Sequence, residues 1–280
     1  MCNCSLLFTE LPLLDRPAAA REAGFDAVEF WWPFAEPEPG DRAVDAFVAA
    51  VAEAGVRLVG LNFFGGDLAG PDCGVLSIPD RSAEFRAGVA VAATIAERLD
   101  VEVLNALYGN RVPEVAPDVQ DALAVENLLL AAEAVAGLGA TVLVEPISGP
   151  KPYPLRTAAD VLTVVDRVRA AGAANVGFLC DVFHLATNGD DVDVVLRDHA
   201  ADIAHVQIAD VPGRGEPGTG TLDVVGWLHA LRDQGYGGRV ALEYKPTVPG
   251  TPESLRWLPP DRRGGGAGAH PAASGRRSGR

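Results

Sequence analysis

The chain is poor in the residues that mark redox, metal-thiolate or membrane proteins. Its 280 residues include only four cysteines, Cys2, Cys4, Cys73 and Cys180, none in a CxxC pair. A zinc knuckle or thioredoxin-like motif is therefore not expected, and free thiols of a reducing compartment are. No apolar run reaches the roughly 18 residues of a membrane span. MCNCSLLF also lacks the basic start and long apolar stretch of a secretory signal, so a cytoplasmic location is expected. Cations are scarce too: residues 1–260 carry 18 Lys and Arg against 37 Asp and Glu, a net charge of −19. Nucleic-acid affinity rests largely on Lys and Arg neutralising phosphates, so DNA and RNA are not expected partners.

With 48% hydrophobic and 22% charged residues, the remainder reads as a soluble globular protein. Short β-rich runs alternate with Ala- and Val-rich amphipathic stretches. The strand-like runs are NCSLLF, AVEFW, VRLVGLNF, VEVLNALY, TVLVEPI, VGFLCDVF, IAHVQIAD and RVALEYK. Helices are predicted near residues 12–23, 41–54, 81–99, 117–138, 157–171, 190–200, 224–234 and 252–257. Thr157 supplies a start signal for the fifth, while Gly55 and Gly235 follow the second and seventh. Eight β/α units in about 250 residues match a single (β/α)8 TIM barrel. A doubly wound open sheet is the alternative, but no GxGxxG follows the first strand. Residues 1–258 form the expected barrel domain. Residues 259–280, rich in Gly and Arg without apolar periodicity, are expected to be a flexible, disordered tail.

Alternate residues of a barrel strand point inward. On that rule Glu145 follows Thr141 and Leu143 on one face, Asp181 follows Leu179, Gln207 follows His205, and Glu243 follows Ala241. Ser5, Glu29, Asn62 and Asn105 occupy comparable positions on the first four strands. A TIM barrel keeps its chemistry at the C-terminal ends of its strands. Three inward carboxylates there repel one another, and burying each ion costs several kcal/mol. A cation held by Glu145, Asp181, Gln207 and Glu243 resolves that conflict. These hard oxygen donors suit Mg2+ or Mn2+, with Co2+ as a further option, better than structural zinc.

FTELPLLDRPAAAREAGFDAVEFWWPF, LVEPISGPKPYP, LCDVFHLAT, AHVQIADVPGRGEPGTG and ALEYKP, in this order, together resemble the hydroxypyruvate isomerase family of the xylose isomerase-like barrels. The resemblance runs from Cys2 to about Trp257. It implies interconversion of hydroxypyruvate and 2-hydroxy-3-oxopropanoate (tartronate semialdehyde), with Glu145 and Glu243 matching the acid/base pair. It also implies a divalent metal on Glu145, Asp181, Gln207 and Glu243. Such a reaction moves one proton between adjacent carbons through an enediolate and needs no organic cofactor. Two carboxylates flanking the substrate can remove and return that proton.

The substrate carboxylate needs local cations, and Lys151, Arg214 and Lys245 lie in segments leaving the same rim; Arg214 is the first choice because its guanidinium can grip a carboxylate through two hydrogen bonds. His184, expected on a rim loop after Asp181, reaches a substrate oxygen from above, and Asn62 joins the substrate-binding set. His205, deeper on its strand, reads as a paired core histidine. Trp31 and Trp32 belong to Pro- and Gly-rich loops suited to walling off a small substrate. Alternatives are an isomerase or epimerase of a longer 2-oxo acid, such as 2-oxo-tetronate, or of a ketose. A barrel endonuclease would need a basic face and clustered zinc-binding histidines, and a noncatalytic binding barrel remains. The partner implied is a small hydroxy-oxo acid, without nucleic acid or membrane, and with homo-oligomerisation left open.

Overall fold

Each strand-like run pairs in parallel with the next, and the last returns to the first. The structure is a computed structural model describing residues 1–68 and 70–264. In it β1 (Cys2–Asn3), β2 (Ala27–Phe30), β3 (Arg57–Asn62), β4 (Val103–Asn105), β5 (Thr141–Val144), β6 (Val176–Asp181), β7 (Ile203–Ile208) and β8 (Val240–Leu242) close into a barrel in chain order. Cys2 lies opposite Val28 on one side and Leu242 on the other, which seals the ring. The eightfold alternation thus gives the expected TIM barrel.

Around it lie α1 (Arg16–Glu22), α2 (Asp41–Ala54), α3 (Ser82–Leu99), α4 (Pro117–Ala136), α5 (Ala158–Ala170), α6 (Val182–Asn188), α7 (Val192–His199), α8 (Val224–Asp233) and α9 (Thr251–Ser254). Local chemistry sets several boundaries. Gly55 ends α2 at φ 67°, a left-handed conformation that costs glycine little. Thr157 begins α5 with a capping box: Asp160 N–H donates to its hydroxyl at 3.2 Å, and Thr157 N–H donates to the Asp160 carboxylate at 2.9 Å. The segment expected as one helix over 12–23 divides, with a 3-10 turn at Leu13–Asp15 before α1. Pro17, which lacks an N–H, sits in the first turn of α1, where that donor has no helical partner to lose.

Strand alternation builds the barrel interior in layers. Met1, Ala27, Val59 and Ala241 pack together inside, as do Val103, Leu143 and Leu179. Two residues further along their strands come Asn3, Glu29, Asn105, Glu145, Asp181 and Glu243, all buried. The intervening Val142, Val144, Cys180 and Val206 join the main core under the helices. On six of the eight strands, β1, β2, β4, β5, β6 and β8, one face therefore runs from an apolar floor to a polar residue at the mouth.

Two local readings are corrected. NCSLLF forms a strand only over Cys2–Asn3, so Asn3, not Ser5, is the inward polar residue of β1; the Ser5 hydroxyl instead accepts from Trp31 N–H at 2.9 Å. The residues after Asp181 are the helix α6, not a loop. Beyond α9, Pro260–Arg262 form a 3-10 turn, and the Arg263 guanidinium donates to the carbonyls of Leu258, Leu255 and Ala23. The rest of the expected tail, residues 265–280, lies outside the described residues. No helix among the described residues is long and apolar enough to cross a membrane.

The Thr157 cap closes two otherwise unpaired donors at the start of α5. Thr157→Ala should lower stability by about 1 kcal/mol, read as a lower urea midpoint at unchanged slope. An unchanged midpoint would count against the cap.

Candidate active site

The barrel mouth concentrates negative charge, and each carboxylate is held by a different set of donors. Glu145, one residue past β5, accepts from Asn105 Nδ2 at 2.6 Å. Asp181 ends β6 and caps α6, its Oδ1 accepting from the backbone N–H groups of Phe183 at 2.8 Å and His184 at 3.2 Å. This leaves Oδ2 facing His184 Nε2 at 3.6 Å and Arg214 Nη2 at 3.4 Å. Glu243, one residue past β8, accepts at Oε1 from Asn3 Nδ2 at 3.1 Å and Trp31 Nε1 at 2.8 Å. Its Oε2 accepts from Arg214 Nη2.

In a continuing strand, Asp181 and His184 of LCDVFHLAT would point to opposite faces. The helix that begins after Asp181 changes this. Residues three apart share a helix face, so the first turn of α6 brings His184 back over the carboxylate that caps it. His184 Nε2 also lies 3.9 Å from Glu145 Oε1. On the other side of the ring, Ser148 N–H donates to Nδ1 at 2.9 Å, and the Ser148 hydroxyl lies 2.7 Å away. A backbone N–H can only donate, so Nδ1 must use its lone pair there. Burial, opposed by Asp181 and reinforced by Arg214, lowers the His184 pKa to about 4. The neutral ring then carries its proton on Nε2. Ser148, which sequence reasoning did not single out, thus makes His184 a donor toward the cavity.

Glu145, Asp181 and His184 lie close enough for one atom of each to meet a single ion. With its proton on Nε2, however, His184 is a poor ligand and a good hydrogen-bond donor. The oxygen set fits a hard cation better. Gln207 sits beside Asp181 in the register of β6 and β7. Its Nε2 donates to Glu29 Oε1 at 2.8 Å, while its Oε1 is buried without a hydrogen-bond partner among the described residues. A buried unpaired carbonyl oxygen among carboxylates is costly unless it meets a cation or donor.

The structure brings Glu145, Asp181, His184, Arg214 and Glu243 together, with Gln207 beside them. Arg214 supplies a cation that the charge-repulsion argument did not include. Its Nε donates to the Glu243 carbonyl at 3.1 Å, and its guanidinium lies over Phe183 at 5.3 Å. Asp210 shapes the loop carrying Arg214 by accepting from the N–H groups of Val211, Gly218, Gly220 and Leu222. The other expected anion contacts do not join the cluster. Lys151 donates to the carbonyls of Gly70 and Asp72 at 2.7 and 2.8 Å, tying two loops together. The Lys245 side chain is exposed, and its backbone N–H donates to the Arg214 carbonyl. Asn62 is buried beside Asn105 in the strand register. His205 is paired in the core, its Nε2 2.8 Å from Glu29 Oε2.

Burial and the charge of Asp181 push the Glu145 carboxyl up to about 8, against the pull of Asn105 and Arg214. Glu243 is also pushed well up by burial, with Arg214 opposing and Asp181 and Glu145 adding to the rise. Two buried carboxyls, both raised by burial, are of the kind that takes part in proton transfer.

The chain is a xylose isomerase-like TIM barrel, the family whose model matches residues 17–260. The chain belongs to the hydroxypyruvate isomerase family of these barrels, and is an isomerase by class. It is 52% identical over 266 residues to a Streptomyces coelicolor protein provisionally named as a hydroxypyruvate isomerase, covering 93% of this chain and 95% of that one. The Escherichia coli protein named hydroxypyruvate isomerase is 32% identical, with coverage of 93% and 98%. A Cupriavidus necator protein named 2-oxo-tetronate isomerase is 33% identical, with coverage of 92% and 96%. Among solved structures, a Brucella melitensis protein named AP endonuclease, family 2 superposes with a TM-score of 0.83 at 32% identity, covering 93% of this chain and 98% of its own.

The raised Glu145 pKa has a consequence for metal-free protein. Between about 4.5 and 8 the folded chain holds a proton on Glu145 that the unfolded chain has released. Stability should therefore fall as pH rises through that window. In chelator-treated protein the urea midpoint should drop from pH 5 to pH 8, and Glu145→Gln should make the drop smaller. An equal drop in both proteins would contradict the burial argument.

Proposed function

We propose that the protein interconverts hydroxypyruvate and 2-hydroxy-3-oxopropanoate through an enediolate, with Glu145 and Glu243 moving the proton. The observation that carries this reading is the pair of buried glutamates just past the ends of β5 and β8, both with pKa values raised by burial and by the charge of Asp181. One glutamate takes a proton from the hydroxymethyl carbon and the other delivers a proton to the neighbouring carbonyl carbon, while the proton of the hydroxymethyl oxygen passes to the former ketone oxygen, so that one C–H and one O–H proton shift between adjacent carbons. Because the reaction is reversible, each acts as base in one direction and acid in the other. His184 offers its Nε2–H to the oxygen on which charge develops. Arg214, whose Nη1 has no hydrogen bond among the described residues, is placed to receive the substrate carboxylate.

Glu145, Asp181, Gln207 and Glu243 are the residues we assign to a divalent cation, Mg2+ or Mn2+ by the hardness of their oxygens. Such an ion, when bound, supplies positive charge for the developing enediolate oxygens. The unpartnered Gln207 Oε1 supports this assignment. We place the enzyme in the cytoplasm on the strength of its four unpaired cysteines.

A longer 2-oxo acid is the second reading, favoured by the name of the Cupriavidus necator relative. NMR of the products from a panel of hydroxypyruvate, 2-oxo-tetronate and ketoses separates the two. A nuclease reading, suggested by the name of the Brucella melitensis protein, is opposed by the charge of −19 on residues 1–260.

Glu145→Gln and Glu243→Gln should each lower kcat on hydroxypyruvate by about 10²- to 10⁴-fold, with the circular dichroism spectrum retained. Chelator should abolish wild-type turnover, and added Mg2+ or Mn2+ should restore it. Full activity in either variant would sink the acid/base assignment.

A further inference from the structure

Glu29 is a buried carboxylate that the proton-transfer scheme does not use. It is 3% exposed and accepts three hydrogen bonds: from Asn3 Nδ2 at 2.9 Å and Gln207 Nε2 at 2.8 Å on Oε1, and from His205 Nε2 at 2.8 Å on Oε2. Burying a carboxylate costs several kcal/mol even when paired, and apolar residues of similar volume often serve stability as well. The fold nevertheless makes room for it. A Cβ at Gly60 on the adjacent strand would lie 3.0 Å from Glu29 Cβ and 3.1 Å from its Oε2. The register of β2 and β3 also shifts between Val28 and Glu29.

What a carboxylate does here follows from its being an acceptor alone. A side-chain amide has one donating end and one accepting end. Facing Glu29, Gln207 must turn its NH2 toward that carboxylate, which directs Oε1 away from it and leaves that oxygen buried and without a hydrogen-bond partner among the described residues; Gln207 itself lies next to Asp181 in the strand register. Asn3 is oriented by the same oxygen, and its Nδ2 spans Glu29 and Glu243. An amide at position 29 would relax this constraint, because its own NH2 could face Gln207 and allow the amide to turn over. A Gln207 presenting NH2 cannot ligate a cation.

We infer that Glu29 is a positioning residue for the cation site, acting through Gln207 to hold the amide NH2 toward itself and so leave the amide oxygen free to meet the cation. This rests on the metal assignment proposed above. Metal-ligand orientation set by such outer partners is commonly worth 10- to 100-fold in affinity.

The test is Mn2+ binding to the full chain by isothermal titration calorimetry, with no substrate present. Glu29→Gln should weaken Mn2+ binding about 10- to 100-fold, and Glu29→Asp should weaken it less. In a Gln207→Ala background, Glu29→Gln should change affinity by no more than about twofold, because the residue it acts through is gone. Urea unfolding of each variant separates these losses from failure to fold; if Glu29→Gln is unfolded, Glu29→Asp and Gly60→Ala, which shifts the carboxylate without altering a polar group, carry the same comparison. Unchanged affinity in the Glu29 variants, or an equal loss with and without Gln207, overturns the inference while leaving the metal assignment standing. Absence of Mn2+ binding by the wild type overturns both.

Discussion

Four carboxylates inside one barrel, Glu29, Glu145, Asp181 and Glu243, set the terms for everything around them. Each is at most 4% exposed, where an unpaired charge is costly. The surrounding polar residues are largely answers to that cost. Asn105 holds Glu145, the start of α6 holds Asp181, Asn3 and Trp31 hold Glu243, and His205 with Gln207 holds Glu29. Arg214 reaches in from a loop to meet two of the acids at once.

The same crowding equips the site for chemistry. Burial together with like charge raises the pKa values of two glutamates, that of Glu145 to about 8, while burial keeps His184 neutral. A proton can then be lost or gained at carboxyls without a large change in driving force. The neutral imidazole, locked by Ser148, contributes a hydrogen bond in place of a charge.

The polar mouth was readable because barrel strands obey a period of two. Leu143 with Glu145, Leu179 with Asp181, and Ala241 with Glu243 each pair a floor residue with a rim residue on one strand. Ser5 was the wrong inward residue because β1 is too short for the alternation to continue past Asn3. Lys151 and Lys245 share with Arg214 a place in segments leaving the rim, but position along the chain does not say where a long side chain goes. Lys151 meets loop carbonyls and Lys245 stays exposed. Ser148 carried no periodic signal, since its role comes from a backbone N–H that any non-proline residue possesses.

Local composition and alternation by themselves determined the eight β/α units, the acids at their ends and the net charge of −19 over residues 1–260. The first two depend on short-range sterics and on the hydrophobic pattern, both written in neighbouring residues. Only the closed barrel decided which donor each acid meets. Asn3 and Glu243 are 240 residues apart, and His205 and Glu29 are 176 apart. Hydrogen-bond orientation and desolvation depend on such distant neighbours. The tautomer of His184, the turn of the Gln207 amide and the capture of Arg214 by two carboxylates therefore belong to the tertiary structure alone.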